Sequence, residues 1–368
     1  MNVQELNAIL KDFCLTPALC GYESEMAYKI KGYFEKYTDD VRIDKVGNCI
    51  ATFPGTDPEA PRIMVFGHTD QLGFIVRRID DDGYIRVDRM GGIPEKVLPA
   101  KKLLVGKEDG SGWVPGTFGF KAHHITPASE KYKVNTIPEL YIDIGAKSAE
   151  EVYAAGIQVG CPVVYAPAFR QLLNDRIAAT SVDDRSGCVA LVEVAERLSK
   201  TPHAATVFVV ATVWEEFNLR GAMMANRTCN VDIGICIDGG ADCTTPDTRG
   251  SANAKMGGGA CLKTYTFHGR GTLNGTIVHR GLRDKFVECA DRLGLPVQRT
   301  AGIGGLTDSA YLQLEGDGVA MLECGNAFRY THSPNEVCDV KDIKAVGDIV
   351  GEMVCSLDKN FKLGRFEK

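Results

Sequence analysis

The sequence has no long apolar run. Its longest, Ala205–Trp214, covers about ten residues, where a bilayer span needs roughly 20. It has no leader-like start either. MNVQELNAILKDFC carries an acidic residue early and lacks an apolar central region, so it reads as an amphipathic helix. There are 13 cysteines but no CxxC pair, and the count is odd. That argues against a disulfide framework or a Cys-rich zinc site and favours a reducing compartment, hence the cytoplasm. Basic residues are not in excess: 42 face 48 acidic ones, a net charge of −6. A nucleic-acid partner is not expected from such a balance, nor a membrane from apolar runs this short. Several catalytic signatures are missing. There is no GxSxG, no cysteine-protease signature and no phosphate-binding GxxxxGK[ST]. The glycines at Gly257–Gly259 do not follow a strand and open a helix, as a dinucleotide fingerprint must.

What is present is ordinary globular material. The 368 residues are 44% hydrophobic and 24% charged, enough for about two domains and more than one core. Helices are expected to Cys14 and over SEMAYKIKGYFEKY. A hairpin is expected over VRIDKVGNCIATF, with its turn at Val46–Asn48, and a buried strand at RIMVFG. From Leu72 to Ala166, short β-type runs alternate with DDG, GG, GKEDGSG and PG, which suggests a small β module with one helix at Ser148–Ala155. After Arg170, helices and strands alternate: a helix in DDRSGCVALVEVAERLSK, the strand ATVFVVATV, a short helix NLRGAMMAN and the strand VDIGICID. A long helix over LNGTIVHRGLRDKFVECADRLG, the strand GVAMLEC and a closing helix follow. The alternation implies a layered α/β domain. The expected division is 1–70 and 170–368 for the two parts of that domain, with 71–169 as an inserted β domain.

Five groups of residues carry candidate chemistry. His68 and Asp70, in FGHTD, follow a buried strand, and ligands in open α/β sheets bind beyond the carboxyl ends of strands. A carboxylate two residues on can fix the imidazole's tautomer. Asp183 and Asp184 open a helix, where acids either cap the backbone or bind a cation. Glu215 and Glu216 end the most apolar strand; one could hold a metal while the other takes a proton. Asp238, in GICIDGG, and His332, in RYTHSPNE, complete the set. Two imidazoles and three carboxylates suit a pair of divalent ions, zinc, cobalt or manganese, better than calcium or magnesium.

The ordered segments GHTDQLGFIV, SVDDRSGCVALVEV, VWEEFNLRGA, IDGGAD, GGLTDSA and RYTHSP resemble the glutamyl aminopeptidase and tetrahedral (TET) aminopeptidase family of dinuclear metallopeptidases. LYIDIGAKSAEEV and GCPVVY resemble the end of that family's insert, so the likeness spans nearly the whole chain. The resemblance implies a phosphorylase/hydrolase-like α/β/α sandwich with a small, barrel-like dimerisation domain inserted. It implies two divalent ions held by His68, Asp183, Glu216, Asp238 and His332, with Asp183 bridging. Glu215 would be the general base and Asp70 would orient His68. It further implies peptide substrates and self-association into large homo-oligomers, often of twelve subunits. His124, in KAHHITP, resembles a histidine near the family's active-site mouth, and an exposed loop histidine fits the same pattern. Gln71, Trp214, FNLRGA and the extra residue in GGLTDSA depart from the family pattern without removing a ligand or the base. The same residues would serve an amidohydrolase or deacylase, and a non-catalytic shell of the same ancestry is the reading from another class.

Overall fold

The computed structural model describes residues 1–268, 275–303 and 305–366. The chain opens with α1 (Val3–Cys14), where Asn2 and Glu5 form a reciprocal capping box, and α2 (Ser24–Phe34). The hairpin β1 (Val41–Ile43) and β2 (Cys49–Phe53) leads to β3 (Ile63–His68), buried at every position.

The short runs that follow close into a barrel. Its strands are β4 (Gly73–Ile79), β5 (Ile85–Met90), β6 (Lys102–Gly106), β7 (Trp113–Phe118), β8 (Ile142–Asp143) and β9 (Pro162–Tyr165), in the order β4-β5-β8-β7-β6-β9. The helix α3 (Ala149–Ala154) packs beside it. Alternate residues point inward, so Phe74, Val76, Val87, Leu103, Phe118, Ile142 and Val163 form a core separate from the main one. Phe74 and Phe118 meet edge to face at 5.1 Å.

The chain then returns through β10 (Phe169–Gln171) and β11 (Arg176–Ala179) to α4 (Val182–Lys200). It continues through β12 (Val207–Thr212), α5 (Gly221–Cys229), β13 (Ile233–Ile237), β14 (Gly240–Ala241), β15 (Ala260–Phe267), β16 (Gly275–Ile277), α6 (Arg280–Leu293) and β17 (Val297–Ile303). The last elements are α7 (Ser309–Leu312), β18 (Ala320–Gly325), β19 (Ala327–Phe328), β20 (Glu336–Asp339) and α8 (Val340–Ser356). The main sheet has nine strands in the order β1-β2-β12-β3-β13-β18-β15-β16, with β17 also on β15. Its centre, β12-β3-β13-β18, is parallel. Such strands are covered on both faces and read as unbroken apolar runs. Ile63 and Val65 face the layer of α1, α4 and α8, whereas Met64 and Phe66 face the side of Ala222, Ala225 and Leu312 from α5 and α7. The result is a mixed α/β fold of three layers.

Several expectations need correction. The helix expected over 273–294 begins at Arg280. Gly275, Thr276 and Ile277 form β16 instead, because Thr276 pairs with Thr266 of β15 and β-branched residues suit a strand. Leu273 and Asn274 lie outside the described residues, as does Gly304, the first residue of GGLTDSA. The short helix begins at Gly221, since Asn218 and Leu219 hold left-handed backbone. The strands β15 and β17 were not anticipated: β15 is only half buried along its length, so its apolar pattern is broken. All thirteen cysteines are unpaired. Among the described residues, no helix is long and apolar enough to cross a membrane.

Candidate active site

The parallel strands of the sheet centre end on one edge, and the singled-out residues gather there. His68 is the last residue of β3, Asp238 follows β13, and Glu215 and Glu216 lie in the turn after β12. Asp183 stands at the start of α4, and His332 lies in the loop between β19 and β20. The side chains converge. His68 Nε2 is 3.2 Å from Asp183 Oδ1 and 3.9 Å from Glu215 Oε2. His332 Nε2 is 3.6 Å from Asp183 Oδ2 and 3.7 Å from Glu216 Oε1. Asp238 joins through Asp183 and Asp184, with which it offers ligand atoms all within 4.8 Å of one another; His68, Asp183 and Glu216 form a second such group.

Backbone contacts hold this arrangement. Asp70 is fully buried, and its two carboxylate oxygens accept the N–H groups of Glu215 and Glu216, each at 3.0 Å. His68 Nδ1 meets the Asp70 backbone carbonyl at 3.0 Å, while the carboxylate lies 3.6 Å away. Asp70 therefore flanks His68 with both its main chain and its carboxylate, and the same carboxylate holds the glutamate turn. Glu336, which the sequence reading did not single out, accepts the N–H of Asp183 at 2.9 Å and that of His332 at 2.7 Å. Thr331 Oγ1 donates to Asp183 Oδ2 at 3.1 Å, and Gly92 of the barrel offers its carbonyl to His332 Nδ1 at 2.6 Å. The only sequence hint of Glu336 was its place four residues after His332.

Asp183 and Asp184 divide the two roles open to them. Both have non-helical backbone, and Asp184 Oδ1 accepts the Gly187 N–H at 2.9 Å, as a helix cap does. Asp183 points into the cluster. His124 stands apart, exposed on a turn of the barrel insert and joined to the cluster by no hydrogen bond or ion pair among the described residues.

Electrostatics follow from burial and crowding. Burial pushes Glu215 well above the usual carboxylate range, with Glu216, Asp238 and Asp308 adding to the push. Burial likewise lifts Glu216 to about 7 and Asp238 to about 6. Burial also opposes ionisation of Asp183, but the hydrogen bond and charge of His68 outweigh it and hold this group at about 2. Burial disfavours a charged His68, yet its bonds to Asp183 and Asp70 carry its pKa well above the ordinary imidazole value. Lys263 Nζ, 4.0 Å from Asp238 Oδ1, is the one lysine or arginine among the described residues within ion-pair distance of these carboxylates. Asp184 Oδ2 is buried without a hydrogen-bond partner. A set of imidazoles and carboxylates this short of positive charge, with an orphaned acceptor, fits divalent cations.

The glutamyl aminopeptidase family M42 matches residues 47–349. The chain belongs to this family and is a metal-dependent aminopeptidase, a hydrolase of peptide bonds. It is 30% identical over 342 residues to the lysyl aminopeptidase of Pyrococcus furiosus, covering 91% of this chain and 92% of that one. Its backbone is similar to an aminopeptidase from the archaeon Desulfurococcus kamchatkensis, with a TM-score of 0.90, 28% identity and coverage of 98% and 97% of the two chains. It is also similar to the Pyrococcus horikoshii TET1 peptidase, which assembles into a tetrahedron or a large octahedral shell. There the TM-score is 0.84, with 25% identity and coverage of 96% and 100%.

Proposed function

We propose that this protein removes N-terminal residues from peptides using two divalent ions, zinc, cobalt or manganese, held by His68, Asp183, Glu216, Asp238 and His332. The observation that carries this reading is the convergence of those five side chains, from five separate places in the chain, on one edge of the sheet. Asp183 would be the ligand shared by both ions, a role supported by its two oxygens facing different imidazoles. When bound, such ions polarise the scissile carbonyl and make water more acidic. The chain's own residues do the rest. Glu215 accepts a proton at its carboxylate from the attacking water and passes it to the leaving amine. Asp70 fixes where that carboxylate sits by gripping the Glu215 and Glu216 amides. The buried walls around Glu215, itself 8% exposed, exclude bulk water from the proton's path.

The catalytic domain, residues 1–70 and 170–368, has the phosphorylase/hydrolase-like sandwich, and the barrel of residues 71–169 is its dimerisation domain. The likeness to an assembling TET1 peptidase supports a homo-oligomer, with twelve subunits as the first size to test. Thirteen unpaired cysteines support a cytoplasmic site of action. The test is hydrolysis of aminoacyl-p-nitroanilides, lysyl and glutamyl among them, with free and with acylated N-termini. Chelated protein should be inactive, and Zn²⁺, Co²⁺ or Mn²⁺ should restore cleavage of the free-amine substrates alone. Release of the acyl group from the acylated substrates, with the anilide bond left intact, would identify a deacylase instead.

A further inference from the structure

We propose that Glu336 is a positioning residue that sets the distance between Asp183 and His332, and through it the affinity for one of the two ions. The inference rests on the two-ion reading above. Its starting point is the geometry of one carboxylate: Oε2 accepts the Asp183 N–H and Oε1 accepts the His332 N–H, at 2.9 and 2.7 Å. Glu336 is 2% exposed and, among the described residues, has no lysine, arginine or histidine side chain within ion-pair distance. Its charge is thus committed to two main-chain amides, and both belong to residues that face each other across the site.

The two segments it joins hold unusual backbone, and Thr331 on Asp183 Oδ2 and Gly92 on His332 Nδ1 fix side chains but leave these two amides to Glu336. His332 itself has left-handed backbone, φ 63°, and so does Tyr330, φ 61°. On the other side, Ser181 has φ 60° just before Asp183. Side chains with a Cβ avoid that region unless surrounding contacts over-determine it. Glu336 supplies such contacts to both segments at once. Its own position is set by the ladder of β20 on β11, where Glu336 lies opposite Ala179, a few residues before Asp183. The sheet register is therefore transmitted to the imidazole and carboxylate that stand 3.6 Å apart. Asp70 does the same for the glutamate turn, so the site is held by two buried carboxylates, each gripping a pair of amides.

Glu336→Gln is the informative change, because it keeps the shape but sets an NH₂ group against one of the two N–H donors. Isothermal titration of chelated protein with Zn²⁺ reads the ions one at a time. The wild type should bind two per subunit. E336Q should bind one of them about 10–100-fold more weakly while the other changes by less than about threefold. In the Co²⁺-loaded protein, the visible absorption bands should shift, reporting altered geometry at His332. Wild-type affinity for both ions, or an equal loss at both, would overturn the proposal; the second result marks a merely structural residue. Should E336Q not fold, Glu336→Asp carries the same expectation, since a side chain one methylene shorter cannot span both amides, and wild-type binding by that variant overturns it. Wild-type protein that takes up no pair of ions refutes the metal centre itself, separately from Glu336.

Discussion

Replacing Glu215 with Gln isolates the proton-transfer role with little disturbance of shape. The anchor of this residue is its backbone N–H on Asp70 at 3.0 Å, which the substitution leaves alone. Its carboxylate lies 3.9 Å from His68 Nε2 and belongs to none of the three trios of potential ligands among the described residues. Gln keeps the volume and removes the proton acceptor. General-base catalysis contributes about 10²–10⁴ in rate, or about 2.7–5.4 kcal/mol of barrier at 1.36 kcal/mol per tenfold. The kcat on an aminoacyl-p-nitroanilide should fall by that factor, with KM changed little. Stability should move the other way. Burial and the charges of Glu216, Asp238 and Asp308 all oppose an ionised Glu215, so a neutral amide should leave the thermal midpoint of the metal-free protein equal or higher. Metal content, measured by plasma mass spectrometry, should stay at the wild-type value. Full turnover by the variant would assign the proton to another group, and loss of metal together with activity would place Glu215 among the ligands.

Asp70→Asn should be costly out of proportion to its size, since it turns one of two acceptors toward the Glu215–Glu216 amides into a donor. A hydrogen bond to a charged group is worth about 1.5–3 kcal/mol, and urea unfolding should show a loss of that order, with an unchanged midpoint as the contrary result. Far from the site, Glu193 gives a pH signature: it is buried, and burial raises its pKa from 4.5 to about 7 despite Lys344 at 2.9 Å. Between those two values the folded chain holds a proton that the unfolded chain has lost, so this group's contribution to stability falls as pH rises through that window. Glu193→Gln should flatten that part of the stability profile in denaturant titrations from pH 4 to 8, and an unaltered slope would contradict the assignment.

Much of the frame was readable because its signals are local. The strands β3, β12, β13 and β18 are buried on both faces, so they appear as short apolar runs. Hairpin and helix boundaries follow from turn residues and capping groups, as at Asn2 and Glu5. Where burial is uneven the signal fades: β15 alternates irregularly, and the β-branched stretch before α6 looked like the helix it precedes. The site divides in the same way. His68, Asp238 and the Glu215–Glu216 pair stand out because each follows an apolar strand. Asp70 also stood out beside His68, but its hold on the glutamate turn did not. The partners it grips are 145 and 146 positions away, and no local pattern reports a contact of that range. Glu336 has the same difficulty, joined to Asp183 across 153 positions.

The amino-acid order by itself determined the mixed α/β frame, the series of short β runs after Leu72 and the candidate imidazoles and carboxylates, because periodicity and strand-end position are properties of short segments. Only the packed chain decided which carboxylates face one another and which grip the backbone. Those roles depend on distances between residues brought together by strand pairing, and a linear string holds no such distances.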